Sequence, residues 1–129
     1  MEAIREAVGS VLDEVERSIP IPDARTLVAV AGTATTVQAM SLGLESYDPE
    51  RIHRTRLAAE EATRVAERLA RMTTPERAAL PVMARGRADV IVAGATILVE
   101  VMRRFEFDEA LVSETDILDG LVLEMLAPA

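Results

Sequence analysis

Cysteine is absent from the 129-residue chain and histidine occurs once, at His53. The first absence excludes disulfides, thiolate zinc sites and cysteine nucleophiles, and it fits a reducing cytoplasm, the expected location. The second leaves too little imidazole for a typical zinc enzyme. Tryptophan is missing and aromatic residues make up 2% of the chain, so the core must be aliphatic and bases have no aromatic platform to stack on. A formal charge of -8 repels a phosphate backbone, so nucleic acid is not expected as a partner. Long apolar runs are also wanting. The longest, Val90 to Val99, is too short to span a bilayer. The N-terminal segment is acidic and amphipathic, unlike a signal peptide, and no membrane partner is expected.

What the chain does have is 50% hydrophobic residues, enough for a core, in a length that suits one domain over residues 1–129. Ile4, Val8, Val11 and Val15 recur at helical spacing and predict an amphipathic helix that ends before the prolines of "SIPIPD". "TLVAVAG" reads as a short buried strand ended by Gly32, and a short helix is expected from Val37 to about Leu44. Arg56 to Met72 carries apolar residues at helical steps and predicts a surface helix. In "TTPERAAL", Thr74 is placed as a cap before a short helix, with Arg77 facing solvent. The apolar stretch after "RGRAD" runs on to Met102, which favours one long buried helix over a strand. Ala110 to Val112 read as a second strand, and Asp116 caps a last helix with Asp119 three residues later.

The order helix, strand, helices, strand, helix predicts an α/β class with two short parallel strands flanked by helices. A two-stranded parallel sheet leaves both edges unpaired and rarely stands alone. Something else is expected to pair with it.

Chemistry is sought at three places. In "AGTATTV", Gly32 permits a left-handed turn and close approach of a ligand, while Thr33, Thr35, Thr36 and free helix N–H groups suit an anion. A plain capped helix explains the same letters. "RGRADV" puts Arg85 and Arg87 before a buried helix, where the dipole disfavours cations unless a phosphate or carboxylate neutralises them. Against that stands a simple Arg87–Asp89 pair, or an Asp89 cap with both arginines in water. His53, among basic neighbours, either joins an anion patch or is a solvated turn residue. The acids of "SETDILDG", Glu114, Asp116 and Asp119, suggest either magnesium or helix capping, and capping is the simpler account, so no metal site is assigned.

Taken together, "VAVAGTATT", "YDPERIHRTRL", "MTTPERAALPVMARGRADVIVAGATIL" and "VSETDILDG" resemble the exopolyphosphatase/guanosine pentaphosphate phosphatase (Ppx/GppA) family, in its actinobacterial branch. The resemblance spans Leu27 to Leu123 and keeps motif order and spacing. It implies a helix-rich part of an actin-like ATPase (ribonuclease H-like) domain, matching the C-terminal portion of the family's second domain. It also implies release of phosphate from polyphosphate or guanosine pentaphosphate, with magnesium in a complete enzyme and no cofactor held by this chain. By the same resemblance, Gly32, Thr33, Thr35 and Thr36 face an interdomain cleft, Arg87 meets substrate phosphates and Asp89 orients its loop. Gly94 and Gly120 would serve helix packing. The family's first domain, with its phosphate loop and water-activating glutamate, has no counterpart here, nor have the second domain's opening strands. A missing N-terminal domain, or a second copy, is therefore the expected partner at the sheet edge, and hydrolysis by this chain alone is not expected.

Overall fold

A computed structural model describes residues 1–128. The chain begins with helix α1, Glu2–Ser18, whose backbone turns extended at Ile19 just before Pro20. Strand β1, Leu27–Val30, runs directly into helix α2, Ala31–Ser41. The four-residue helix α3, Pro49–Ile52, is capped by the Asp48 carboxylate and starts on a proline. Strand β2, Thr55–Ala58, leads into α4, Ala59–Arg71. Helix α5, Thr74–Ala78, is followed by turns and then by α6, Ile91–Arg104. Strand β3, Glu109–Ser113, and helix α7, Ile117–Leu126, complete the order.

The two anticipated parallel strands are present, with Leu27 opposite Ala110 and Val30 opposite Ser113. The sheet nevertheless has three strands in the order β1-β3-β2, because Thr55–Ala58 pairs antiparallel to β3. Two expectations are corrected by this. The helix anticipated from Arg56 begins only at Ala59, and the sheet's middle strand has both edges paired inside the chain. β1, read as a buried strand, is an edge: Ala29 is buried, whereas Val28 and Val30 are 51% and 45% exposed. The β1 edge stays unpaired as anticipated, while the other free edge moves outward from β3 to β2.

The aliphatic core gathers Ile52, Leu57, Leu69, Ile91, Met102 and Val112, all essentially fully buried. Each such side chain contributes roughly 1.5–3 kcal/mol of transfer free energy on burial. Helices α2, α4 and α6 pack together on the sheet and supply most of that core. Helix α1 docks on α6 with Leu12 as its one buried residue. Charges assist it: Arg104 bonds Asp13 and Glu16, and the buried Glu100 accepts from Arg103 at 2.6 Å. Arg5 Nε lies 3.2 Å from Glu100, as a charge contact without hydrogen-bond alignment.

Caps explain several boundaries. Asp116 and Asp119 form a reciprocal capping box at α7, as the sequence suggested. At α5 the cap is Thr73 rather than Thr74, with Glu76 completing the box. Arg77 does not face solvent. It donates to the carbonyls of Ala88, Leu69 and Met72 and to the Thr74 hydroxyl, tying α4, α5 and the segment before α6 together.

Candidate functional site

The start of α2 after β1 and the loop after β3 emerge side by side, because the two strands are parallel neighbours. In α/β sheets this carboxyl edge is where ligands bind. A cavity of about 440 Å³ opens there, walled by Ala31, Gly32 and Thr35 from α2, Tyr47 from the following loop, Arg87, and Glu114 with Asp116 from the β3–α7 loop. A larger hollow of about 710 Å³ lies between α1, α4 and α6. Its main charged groups are spent on each other, Arg103 and Arg5 on Glu100, so the smaller cavity is the candidate.

The turn from β1 into α2 is made by Ala31, with φ 68°, not by Gly32. A left-handed alanine stores on the order of 1–3 kcal/mol of strain, of the kind found where chain geometry serves a site. Gly32 is needed for a different reason. The Arg87 side chain lies across the first turn of α2, and a Cβ at residue 32 would come 2.8 Å from Nη1 and closer still to Cζ and Nη2. Arg87 Nη1 donates to the Gly32 carbonyl at 3.2 Å and to the hydroxyl of the fully buried Thr36 at 3.0 Å. Its Nε and Nη2 find no protein acceptor among the described residues, and Arg87 makes no ion pair there. The guanidinium is thus anchored at one nitrogen, and half of its fork is left for an anion.

Of the residues selected from sequence, Gly32, Thr35, Thr36 and Arg87 come together. Thr35 lines the cavity while its hydroxyl donates to the carbonyls of Ala31 and Gly32. Thr33 points elsewhere and packs against Gly94 on α6. Asp89 is exposed, and the cap position of α6 belongs to Val90, with no side-chain cap bond. The Arg87–Asp89 pair, offered as the alternative to an anion, does not form among the described residues, and Arg85 stays exposed. Gly94 serves helix packing as expected, whereas nothing lies within 4 Å of a Cβ at Gly120.

His53 is not simply solvated, since its Nδ1 accepts a bond from the main-chain N–H of Glu114 at 3.1 Å. Glu114 Oε1 accepts from the Tyr47 hydroxyl at 2.6 Å. Desolvation first, and then this bond, push the Tyr47 phenol above its ordinary pKa, so it remains a donor at neutral pH. Of the acids in the β3–α7 loop, Asp116 and Asp119 cap α7 and Glu114 accepts from Tyr47 through Oε1. Among the described residues no three metal-ligating side chains are gathered for an ion. Tyr47 and Ala31 went unselected in the sequence, where neither carries a local signal.

Comparisons with known proteins follow the same lines. The Ppx/GppA phosphatase family model matches residues 1–129. Exopolyphosphatase 2 of Mycobacterium tuberculosis is 41% identical over 125 residues, covering 94% of this chain and 39% of that protein. A bifunctional 3-dehydroquinate synthase/phosphatase of Fusobacterium nucleatum is 33% identical over 99 residues, covering 77% and 15%. Among solved structures, an exopolyphosphatase-like protein superposes with a TM-score of 0.92 at 32% identity, over 96% of this chain and 42% of its own. The Aquifex aeolicus Ppx/GppA protein shares the fold, with a TM-score of 0.81 at 24% identity over 98% and 42%. The chain therefore spans about two fifths of the length of its exopolyphosphatase relative and of these structures. It belongs to the Ppx/GppA phosphatase family, and its helix-rich α/β architecture is a partial domain of that family's fold.

Proposed function

From membership of this family, we propose that the chain forms one wall of a phosphate-binding cleft in a Ppx/GppA-type phosphatase, as the C-terminal portion of its second domain. The ligand is a terminal phosphate of polyphosphate or guanosine pentaphosphate, met by Arg87 over the first turn of α2. Gly32, Thr35 and Thr36 shape and anchor that contact. Thr33 supports it from behind through α6, and Asp89 stands on the same loop as Arg87. Magnesium and the residues that activate water belong to the opposite wall, and hydrolysis needs both walls.

The observation that carries this reading is the half-engaged guanidinium: Nη1 is held by Gly32 and Thr36, and the side chain borders a cavity at the carboxyl edge of the sheet. Titration calorimetry of the chain with tripolyphosphate is expected to show weak, salt-sensitive binding that Arg87→Ala reduces about tenfold or more, as for a lost charge-assisted contact. Arg87→Lys recovers it only partly, since lysine lacks the fork. Equal binding by wild type and Arg87→Ala sinks the proposal. Phosphate release from polyphosphate by the chain alone, abolished in Arg87→Ala, would show that one wall suffices.

A second reading is favoured by exposed apolar surface. Val28, Val30 and Ile97 flank the open β1 edge, and α7 buries none of its residues. On this reading the chain docks through that edge on a first domain or a second copy of itself, within the cytoplasm.

A further inference from the structure

We propose that Glu114 and Tyr47 set the charge selectivity of the Arg87 cavity, Glu114 as the carboxylate a bound polyanion must tolerate and Tyr47 as the group that holds it away from Arg87. The inference rests on the phosphate-binding reading above. Arg87 and Glu114 line the same cavity, yet among the described residues they form no ion pair within 4.0 Å. That is unexpected for a half-free guanidinium and a carboxylate, whose bidentate pairing is a strong interaction at short range. Two tethers explain it. Tyr47 Oη donates to Glu114 Oε1 at 2.6 Å, and the Glu114 main-chain N–H is fixed on His53 Nδ1 at 3.1 Å.

With Glu114 so held, Arg87 Nε and Nη2 stay open to a ligand. The carboxylate still contributes a negative charge to the cavity, partly desolvated and therefore weakly screened. A phosphate chain is opposed by it, the more strongly the more fully that chain is ionised. Tyr47 is thus a positioning residue that acts through Glu114, and Glu114 is a specificity determinant beside the anion.

The test is calorimetric titration of tripolyphosphate into the full chain at neutral pH and low salt. Glu114→Gln keeps an oxygen to accept from Tyr47 while removing the charge, and it is expected to tighten binding at least threefold. Tyr47→Phe frees the carboxylate to close on Arg87 and is expected to weaken binding at least threefold. In the double variant the Tyr47 change should have no further effect, because its route through Glu114 is gone. A purely structural role for either residue weakens binding in both single variants, so opposite signs are the discriminating readout. Unchanged or weaker binding by Glu114→Gln overturns the inference, as does a Tyr47→Phe penalty that survives in the Glu114→Gln background. If binding depends on Arg87 but ignores both variants, this inference alone fails. If wild type shows no binding, the phosphate reading fails and takes the inference with it.

Discussion

A methyl group on Gly32 would strike the Arg87 guanidinium, and that contact separates the needs of the site from those of the fold. The atoms it meets are the far end of a flexible side chain, which can swing aside at small cost. Alanine is also a better helix former than glycine, by about 1 kcal/mol in a helix interior. Gly32→Ala is therefore expected to leave thermal stability near wild type by circular dichroism. Tripolyphosphate affinity falls several-fold, because Nη1 loses its anchorage on the Gly32 carbonyl and Thr36. A large fall in melting temperature with binding intact would refute this assignment. The sequence made Gly32 conspicuous for two reasons, a left-handed turn and close approach without a Cβ. Ala31 makes the turn instead, and what approaches Gly32 is a side chain of the same protein. The real constraint is the approach of a side chain 55 residues away, which local spacing cannot reveal.

Between elements, α2 and α6 approach closely at a glycine. A Cβ at Gly94 would lie 2.5 Å from Thr33 Oγ1 and 2.8 Å from its Cγ2. Thr33 is short and branched at Cβ, so it has little room to yield. Gly94→Ala is expected to destabilise the chain by roughly 1–3 kcal/mol in urea unfolding, the usual cost of overpacking. Adding Thr33→Ala should return much of that loss, since residues in contact couple. Additive losses would place the clash elsewhere. Helices with long apolar stripes were legible in the sequence, as were the capping box at Asp116 and the strand at Ala110–Val112. β2 was not. Its four residues, "TRLA", fit a helical pattern equally well, and they become a strand because Leu57 aligns with Ala110 more than fifty positions later. The hydrogen bonds of Arg77 were hidden at much shorter range: their carbonyl acceptors lie 11, 8 and 5 positions away, across turns whose path helical spacing does not report.

For the whole molecule, the two proposed surfaces respond to salt with opposite signs. The chain carries a formal charge of -8, so two copies repel each other at low ionic strength. Against that repulsion stand the open β1 edge, with Val28 and Val30 about half exposed, and α7, whose Leu118, Leu123, Met125 and Leu126 are 68–83% exposed. A helix apolar on all sides is ordinarily buried in the assembled protein. Sedimentation velocity is therefore expected to show association that rises with concentration through the micromolar range and strengthens as salt screens the like charges. Val28→Lys places a charge on the open edge, the device by which native edge strands avoid pairing, and should shift the chain toward monomer. Phosphate binding at Arg87 weakens under the same salt, because it is a contact between opposite charges. A chain that stays monomeric at high concentration and high salt removes the docking reading and leaves the Arg87 cavity unaffected. Association that persists unchanged in Val28→Lys moves the interface from the β1 edge to α7, where paired Leu118→Lys and Val122→Lys substitutions, one helical turn apart, would then abolish it.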